Sequence, residues 1–530
     1  MKVLVTDKIN EAAGRIIEAV AEVDFLPTMS EDELVKIIAD YDALMVRSQT
    51  KVTPKIIEAG KNLKIIGRAG VGVDNIDLEA ATQKGIIVVN SPDGNTMAAA
   101  EHTIALMLAM ARNIAPAATS TKEGKWDRSK FTGTELYKKT LGIIGFGKIG
   151  SHVGEVALAL GMKVVVYDPF TSKEVVEKFG GEYVENLDEF WAKPDFITVH
   201  VPKTKDTVNM INKDTIKKMK QGVRLVNCAR GGIINETDLK DAINSGYVAS
   251  AAVDVYENEP NITECPLINC TGNIVLTPHL GASTTEAQMN VAIDVAEQIK
   301  EVLSGGSASS AVNIPSLRPD KLEPVKDYMG ISENSGELAV QLSNGVIKTI
   351  EITAGGDLAD LDIQPLEVAV LKGVLSSRLE GVNYVNAPVI AKKRGIDIVS
   401  TRTKAKCNFA GLITVKLVTD KDTTVVSGAI VAHGIPRIVK INDYETSIRP
   451  EKHMLIVPHT NKPSMIARVA QVIGEKEINI GSMNVVQKND KHETESIMVI
   501  NVESVVGDDT LDLIAKIDGV HNPKYVKLTV

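Results

Sequence analysis

The first 90 residues alternate short apolar runs with longer segments of helical period. Four runs rich in β-branched residues are predicted as strands, and a helical segment, Glu31 to Ala39, lies between the first two. This alternation indicates a parallel sheet with covering helices. The predicted strands are Val3 to Thr6, Ala43 to Val46, Leu63 to Arg68 and Ile86 to Asn90.

The same rhythm returns after a long apolar helix predicted near Ala98 to Arg112. Six further strand-like runs, joined by helix-length segments, predict a doubly wound domain. They are Leu141 to Gly145, Lys163 to Tyr167, Phe196 to His200, Arg224 to Asn227, Ser250 to Val255 and Ile274 to Thr277.

The rest of the chain has a different organisation. Small residues from Leu303 to Asn313 (LSGGSASSAVN) indicate a linker or domain edge. Ile314 to Pro450 mixes helix and strand patterns, with a hairpin predicted to turn at Asp420 to Asp422, and shows no chemical motif. The last 80 residues read strand, helix, two strands, helix and a final strand, Tyr525 to Val530, the βαββαβ order of a ferredoxin-like module.

Length and composition narrow the class of protein. A chain of 530 residues exceeds what one core usually supports, so three or four domains are expected. The net charge of −9 leaves no basic surface for a nucleic-acid partner. The longest apolar stretch, Ile104 to Ala111, is too short to span a bilayer, and four cysteines without a CxxC pair fit a reducing compartment. We therefore expect a cytoplasmic protein with no membrane or metal partner.

The sharpest local motif is GFGKIG, with glycines at 145, 147 and 150. It follows the apolar strand TLGII and precedes a helical segment. The next strand, KVVVYD, ends in Asp168, 23 positions after Gly145. Such glycines let the backbone approach a pyrophosphate at a helix N-terminus, and an acidic residue there can accept hydrogen bonds from ribose hydroxyls. Because its charge would repel a 2′-phosphate, the motif favours NAD over NADP.

A second glycine cluster, Gly67 to Gly72, also follows a strand. Its spacing is GxxGxG, and the next strand ends at Asn90 and not at an acidic residue. We interpret it as a substrate loop. Arg68 lies within it and Arg47 ends an earlier strand, so both side chains could reach the crevice beyond the carboxyl ends of the sheet.

Three polar residues follow strands of the second series. Arg230 comes after RLVNCA, Glu259 after AAVDV in the run ENEP, and His279 after IVLTP. A guanidinium can bind a carboxylate through two hydrogen bonds, and a carboxylate beside an imidazole favours its charged form. Together they predict a site for hydride transfer from a 2-hydroxy acid, with His279 as the base.

These motifs together resemble the D-2-hydroxyacid dehydrogenases. The resemblance rests on NCARGGIINE from Asn227, AAVDVYENEP from Ala251 and TPHLGAST from Thr277, downstream of LGIIGFGKIG. Within that family, RAGVGVDNID, AAAEHT and GKWDRSKFTGTEL are similar to the branch that acts on D-3-phosphoglycerate. The match runs from about Lys2 to Asn313 and implies oxidation of 3-phospho-D-glycerate with NAD.

The resemblance also implies roles for individual residues. It implies that Arg230 binds the substrate carboxylate, that Glu259 supports the histidine, and that His279 exchanges the proton. Arginines that match Arg47 and Arg68 contact substrate, and one that matches Arg128 reaches the site from a neighbouring subunit, which implies an oligomer, expected to be a tetramer. The implied cofactor contacts are Lys148, Ile149, Asp168, Cys228, Ala229, Asp254 and the segment from His279 to Ala282, which includes Gly281.

The expected fold class is α/β, with two doubly wound Rossmann-like domains, an α+β intervening domain and a C-terminal ACT domain. The resemblance implies a discontinuous substrate-binding domain, 1–97 with 283–313. The NAD-binding domain is expected at 98–282, the intervening domain at 314–450 and the ACT domain at 451–530.

In ACT-regulated relatives a His-x-Asn loop and a later asparagine hold serine across a subunit interface. His459, Asn461 and Asn479 match that spacing. The sequence departs from the usual Arg-Pro-Gly of this loop, because Lys462 and Pro463 are followed by Ser464, which adds a side chain where close backbone approach is expected.

Three alternatives stay open. The chain could be a sibling dehydrogenase for glycerate, glyoxylate or hydroxypyruvate, which should not need Arg47, Arg68 and Arg128 together. It could be an NAD-sensing binding protein on the same fold, although the three catalytic candidates and the acidic composition disfavour that. The C-terminal module could respond to an amino acid other than serine.

Overall fold

The computed structural model describes residues 1–405, 407–431, 434–488 and 495–529. They form four β-sheets with covering helices. No helix among these residues is long and apolar enough to cross a membrane.

The first sheet and its helices occupy the first 90 residues. Their bounds are β1 (Lys2–Val5), α1 (Ala12–Ile17), β2 (Glu22–Phe25), α2 (Glu31–Ile37), β3 (Ala43–Val46), α3 (Pro54–Ala59), β4 (Ile65–Arg68), α4 (Leu78–Lys84) and β5 (Ile87–Asn90). The strands are parallel in the order β2-β1-β3-β4-β5. The four predicted strands are confirmed to within two residues. The pattern did not indicate β2, because its sequence EVDF lies at the sheet edge and has no fully buried residue.

The second sheet contains seven parallel strands. The elements are α5 (Thr96–Ala111), α6 (Ile114–Lys122), β6 (Thr140–Ile144), α7 (Lys148–Ala159), β7 (Lys163–Tyr167), α8 (Lys173–Phe179), β8 (Glu182–Tyr183), α9 (Leu187–Trp191), β9 (Phe196–Val199), α10 (Lys213–Ile216), β10 (Val223–Asn227), α11 (Glu236–Asn244), β11 (Val248–Val253) and β12 (Ile274–Leu276). The order is β12-β11-β10-β9-β6-β7-β8. The strand order therefore reverses between β6 and β9, which is where doubly wound folds bind nucleotides.

The chain then returns to the first sheet. Helix α12 (Thr285–Leu303) packs Val291, Val295 and Ile299 into the core that also contains Val3 and Ile65. The glycine- and serine-rich segment after it lies along β5, where the N–H of residue 312 donates to the carbonyl of residue 88 at 2.8 Å. This segment is therefore a domain edge and not a free linker. The numerical domain limits given above stay predictions.

The third sheet is mixed. Its elements are α13 (Pro319–Leu322), α14 (Met329–Leu342), β13 (Ile347–Gly356), α15 (Gln364–Ser376), α16 (Ala387–Lys393), β14 (Asp397–Thr403), β15 (Gly411–Thr419), β16 (Thr423–Val431), β17 (Ile435–Ile441) and β18 (Tyr444–Ile448). The strand order is β14-β13-β15-β16-β17-β18, and only the β13–β14 pair of these named strands is parallel. The predicted hairpin is confirmed, because β15 and β16 are joined by a turn at 420–422.

The fourth sheet confirms the βαββαβ order. Its elements are β19 (His453–Thr460), α17 (Met465–Glu475), β20 (Ile480–Gln487), β21 (Glu495–Val502), α18 (Asp508–Ala515) and β22 (Lys524–Lys527), and the strand order is β20-β21-β19-β22. Val530, the predicted end of the last strand, lies outside the described residues. One face of this sheet packs on its own helices, and the other shares a core with α14 through Met454, Ile456 and Val526.

Candidate active site

Three candidate residues lie beyond the carboxyl ends of neighbouring parallel strands. Arg230 follows β10, Asp254 directly follows β11, and His279 follows β12. These strands are adjacent in the order β12-β11-β10, so their ends meet at one edge of the sheet. Tertiary structure therefore brings together residues that the sequence separates.

The structure pairs Glu259 with His279. Glu259 Oε2 lies 2.5 Å from His279 Nδ1, and the backbone N–H of Tyr256 donates to Oε1 of the same carboxylate at 2.7 Å. Burial acts to raise the pKa of Glu259, but the hydrogen bonds from His279 and Tyr256 outweigh it, and the pKa lies below its ordinary value. The carboxylate therefore stays ionised, and the second nitrogen of the imidazole, Nε2, remains available for substrate.

Asp254 holds the turn that carries His279. Its side chain is fully buried and accepts hydrogen bonds from Thr277 Oγ1 at 2.6 Å, from Leu280 N at 2.8 Å and from Gly281 N at 2.9 Å. The backbone N–H of His279 donates to the Asp254 carbonyl at 2.9 Å. His279 itself has a positive φ of 54°, a conformation that a non-glycine residue keeps only when its surroundings enforce it.

Three arginines form a cationic cluster beside this edge. The pKa of Arg68 is lowered to about 10, chiefly by burial and also by the neighbouring charges of Arg230 and Arg47, although Asp74 and Asp7 act to raise it. The buried Nε of Arg68 has no hydrogen-bond partner among the described residues. An unsatisfied buried donor beside two further guanidinium groups fits a site for an anionic ligand.

Arg128 lies apart from that cluster. It begins an exposed 3-10 turn, Arg128–Phe131, and its side chain has no hydrogen bond or ion pair with any residue described in this single chain. Trp126 next to it is 81% exposed. The geometry thus joins Arg47, Arg68 and Arg230, but not Arg128, and the predicted contribution of Arg128 from another subunit stays a prediction.

The glycine motif has the geometry that its spacing predicts. Gly145 has a φ of +91°, which favours glycine, and a Cβ on Gly150 would lie 2.1 Å from the carbonyl oxygen of Gly145. Gly150 therefore permits close packing of α7 on β6. A Cβ on Gly147, at the start of α7, would meet no described atom within 4 Å. This open space at a helix N-terminus can hold a pyrophosphate.

The acidic end of the nucleotide site is also in place. Asp168 follows β7 and accepts hydrogen bonds from the backbone N–H groups of Phe146 at 2.6 Å and Phe170 at 2.7 Å. Lys148 forms an ion pair with Asp93 at the start of α7. The glycine-lined opening and this carboxylate fit a dinucleotide.

The other predicted cofactor contacts lie on the same side of the sheet. Ile149 is on the first turn of α7. Cys228 and Ala229 follow β10, and burial raises the pKa of the Cys228 thiol to about 12, so it is not a nucleophile. Gly281 and Ala282 follow the His279 turn, where a Cβ on Gly281 would lie 3.3 Å from Asp254 Oδ2.

The three predicted effector residues lie in different environments. His459 is buried, its Nδ1 contacts the carbonyl of Thr460 at 2.9 Å, and its Nε2 has no hydrogen-bond partner among the described residues. Asn461 is exposed, and Asn479 donates to Glu503 at 3.0 Å. Their joint role in binding an effector stays a prediction.

Two residues that shape the site lie within motifs that carry the family resemblance, but the sequence predicted no role for them. Asp74 lies 3.7 Å from Arg230 across the two domains, and His102 lies 3.1 Å from Asp254. Each pair joins residues distant in the chain, so no local spacing could have indicated it. Among the described residues, no group of three or more His, Cys, Asp or Glu could hold a metal ion.

Comparison with known proteins identifies the family of this chain. Residues 104–281 match the family model of the D-isomer specific 2-hydroxyacid dehydrogenase NAD-binding domain, and residues 324–442 match that of the D-3-phosphoglycerate dehydrogenase intervening domain. A D-3-phosphoglycerate dehydrogenase of Synechocystis is 47% identical over 99% of this chain and 95% of its own length. The chain belongs to the D-3-phosphoglycerate dehydrogenase family. It is an NAD-dependent dehydrogenase with a Rossmann-like NAD-binding domain.

Two further relatives agree. A D-3-phosphoglycerate dehydrogenase of Methanocaldococcus jannaschii is 43% identical over the whole of both chains. The solved structure of an NAD⁺-bound 3-phosphoglycerate dehydrogenase of Entamoeba histolytica is 32% identical and covers 59% of this chain and 98% of its own, with a TM-score of 0.50. A coverage of 59% corresponds, in number of residues, to the part of this chain that forms the first two sheets and their helices.

Proposed function

We propose that this protein oxidises 3-phospho-D-glycerate to 3-phosphohydroxypyruvate with NAD, the first step of L-serine synthesis. The observation that carries the proposal is the hydrogen-bonded pair of Glu259 and His279 at the same sheet edge as Arg230. A base and a carboxylate-binding cation at one site are what oxidation of a 2-hydroxy acid requires.

The arginines suit a substrate with two anionic groups. Arg230 is one third exposed and can bind the substrate carboxylate through two hydrogen bonds. Arg47 and Arg68 then remain for the phosphate. Without ligand, Asp74 partly balances this positive charge, and an anion that enters the site replaces that interaction. An unphosphorylated acid would leave two of the three guanidinium groups without a charged partner.

His279 and Glu259 handle the proton. With Nδ1 bound to Glu259, the His279 Nε2 lone pair can accept the substrate hydroxyl proton, and the O–H electron pair then forms the new C=O bond. Bound NAD would supply the acceptor for the hydride that leaves the α-carbon. The imidazolium formed at His279 is stabilised by the adjacent carboxylate, so this interaction is strongest as the reaction proceeds.

The cofactor would be held at the N-terminus of α7. The opening at Gly147 admits the pyrophosphate, with Lys148 and Ile149 on the first turn, and Asp168 accepts hydrogen bonds from the adenosine ribose. The negative charge of Asp168 disfavours a 2′-phosphate.

We also propose that the C-terminal βαββαβ module is an ACT regulatory domain that binds serine between subunits of a tetramer, through His459, Asn461 and Asn479. Support comes from the buried Nε2 of His459, which has no hydrogen-bond partner in the described part of the chain. Ser464 has a φ of +70°, where the usual glycine of this loop would be unstrained. The strain and the added side chain should weaken the effector site relative to a glycine-bearing chain.

The test is NADH formation with D-3-phosphoglycerate and with D-glycerate, under alkaline conditions that trap the product. A clear preference for the phosphorylated acid is expected. An Arg128→Ala variant should raise KM for the phosphorylated acid, with Lys130→Ala in the same exposed turn as the control. Equal or faster oxidation of glycerate would make this a sibling dehydrogenase, and oxidation of neither would contradict enzymatic function. Added serine, with light scattering for subunit number, tests the regulatory part.

A further inference from the structure

The buried carboxylate of Asp254 has a partner that the proposed mechanism does not use. Its side chain is fully buried and accepts hydrogen bonds from a hydroxyl and two backbone N–H groups, all of them neutral donors. A buried carboxylate is costly unless it is paired and hydrogen-bonded. Among the described residues, the only ion-pair partner of Asp254 is His102, with Nε2 3.1 Å from Oδ1.

His102 reaches Asp254 from outside the sheet. It lies on α5, which packs against β10, β11 and β12, and its imidazole is largely buried, with 19% of the side chain exposed. Nε2 also lies 3.4 Å from Thr277 Oγ1, which itself donates to Asp254. The imidazole therefore contacts both side chains that connect the end of β11 to the turn after β12.

That turn determines where His279 lies. Asp254 binds the N–H groups of Leu280 and Gly281 through its two carboxylate oxygens, and its carbonyl accepts the N–H of His279. The positive φ of His279 means that the turn would relax if these hydrogen bonds were weakened. A displacement of about 1 Å at a reacting group can reduce the rate by as much as about 100-fold.

We propose that His102 is a positioning residue for hydride transfer: its Nε2 holds the Asp254 carboxylate, which holds the turn that presents His279. The inference rests on the proposed function, because it assigns His102 a role in that reaction. Among the described residues, His102 has hydrogen-bonding or ion-pair contacts with Thr277 and Asp254 and none with His279, so it would act through Asp254.

The test uses the full-length protein with three variants. His102→Leu removes the donor, whereas His102→Gln retains an N–H near the position of Nε2. His152→Leu is the matched control, because His152 lies in the same domain on α7 and its Nδ1 lies 3.3 Å from the side chain of Glu155, its one ion-pair partner among the described residues. For each variant, kcat, KM for D-3-phosphoglycerate and the primary isotope effect with the 2-deuterated substrate are measured, together with the thermal midpoint.

We expect His102→Leu to lower kcat about tenfold, with KM changed less than about twofold and a larger isotope effect, since the chemical step becomes slower. His102→Gln and His152→Leu should stay within about twofold of wild type. Unchanged kcat in His102→Leu overturns the inference. So does a lower kcat with an unchanged isotope effect, which would mean only that less protein is folded. Equal losses in the Leu and Gln variants also overturn it. Absence of turnover in the wild type would instead contradict the proposed function.

Discussion

Replacing Glu259 with glutamine removes the charge beside His279 and retains the shape of the side chain. The 2.5 Å contact is a charge-assisted hydrogen bond, which contributes about 1.5–3 kcal/mol. The Glu259 and His279 side chains are 31% and 48% exposed, so solvent screening favours a value near the middle, about 2 kcal/mol. Because the imidazole becomes charged as the proton is transferred, this energy appears in the transition state, and kcat should fall about 30-fold.

The assay is steady-state NADH formation over the neutral and alkaline range. The pKa of Glu259 lies below its ordinary value, so its carboxylate stabilises the folded, active state until the pH falls through that lowered pKa. The titration of Glu259 itself should therefore make no contribution to the pH dependence of kcat within the assay range. Glu257→Gln, in the same loop and exposed, is the control and should retain wild-type kcat. A kcat of Glu259→Gln within about twofold of wild type, or an equal loss in the control, would refute the reasoning.

Three further predictions concern other parts of the chain. Gly147→Ala should leave the thermal midpoint unchanged and weaken NAD binding, whereas Gly150→Ala should destabilise the domain, because its Cβ would lie 2.1 Å from a backbone oxygen. NAD titration and thermal unfolding distinguish the two effects. Equal thermal midpoints for the two variants would contradict the geometry. Burial lowers the pKa of His200 from 6.5 to about 4. Between pH 6.5 and about pH 4, the unfolded chain binds a proton at this residue and the folded chain does not. The folded state therefore loses stability as the pH falls through that window, by about 2 kcal/mol at about pH 5. His200→Gln should show a smaller loss in thermal midpoint between about pH 7 and pH 5, and equal losses would count against burial as the cause. Ser464→Gly should stabilise the C-terminal module by about 1 kcal/mol, because φ is +70° there, and should strengthen any response to serine; calorimetry that shows no gain would exclude backbone strain.

Much of the fold follows from local patterns. Strand runs such as Ala43–Val46 and Lys163–Tyr167 have the same bounds in the sequence pattern and in the structure, because apolar periodicity and β-branched residues are properties of a few consecutive positions. The glycine motif was equally readable, since the open space at Gly147 and the close approach at Gly150 depend on spacing within one strand–turn–helix unit. The edge strand β2 could not be predicted in this way, because exposed polar residues show no such pattern.

The sequence by itself thus determined most strands of the first two sheets, the cofactor turn and the residue types that chemistry requires at strand ends. Only the tertiary structure decided which of those ends meet. The contact of Glu259 with His279 depends on β11 and β12 being neighbours, and the approach of Asp74 to Arg230 depends on how two domains pack. The pairing of Asp254 with His102 likewise depends on the packing of α5 against the sheet. Each of these contacts joins residues that are far apart in the chain. The distance between them is set by the packing of the whole sheet, and local sequence spacing carries no signal for it.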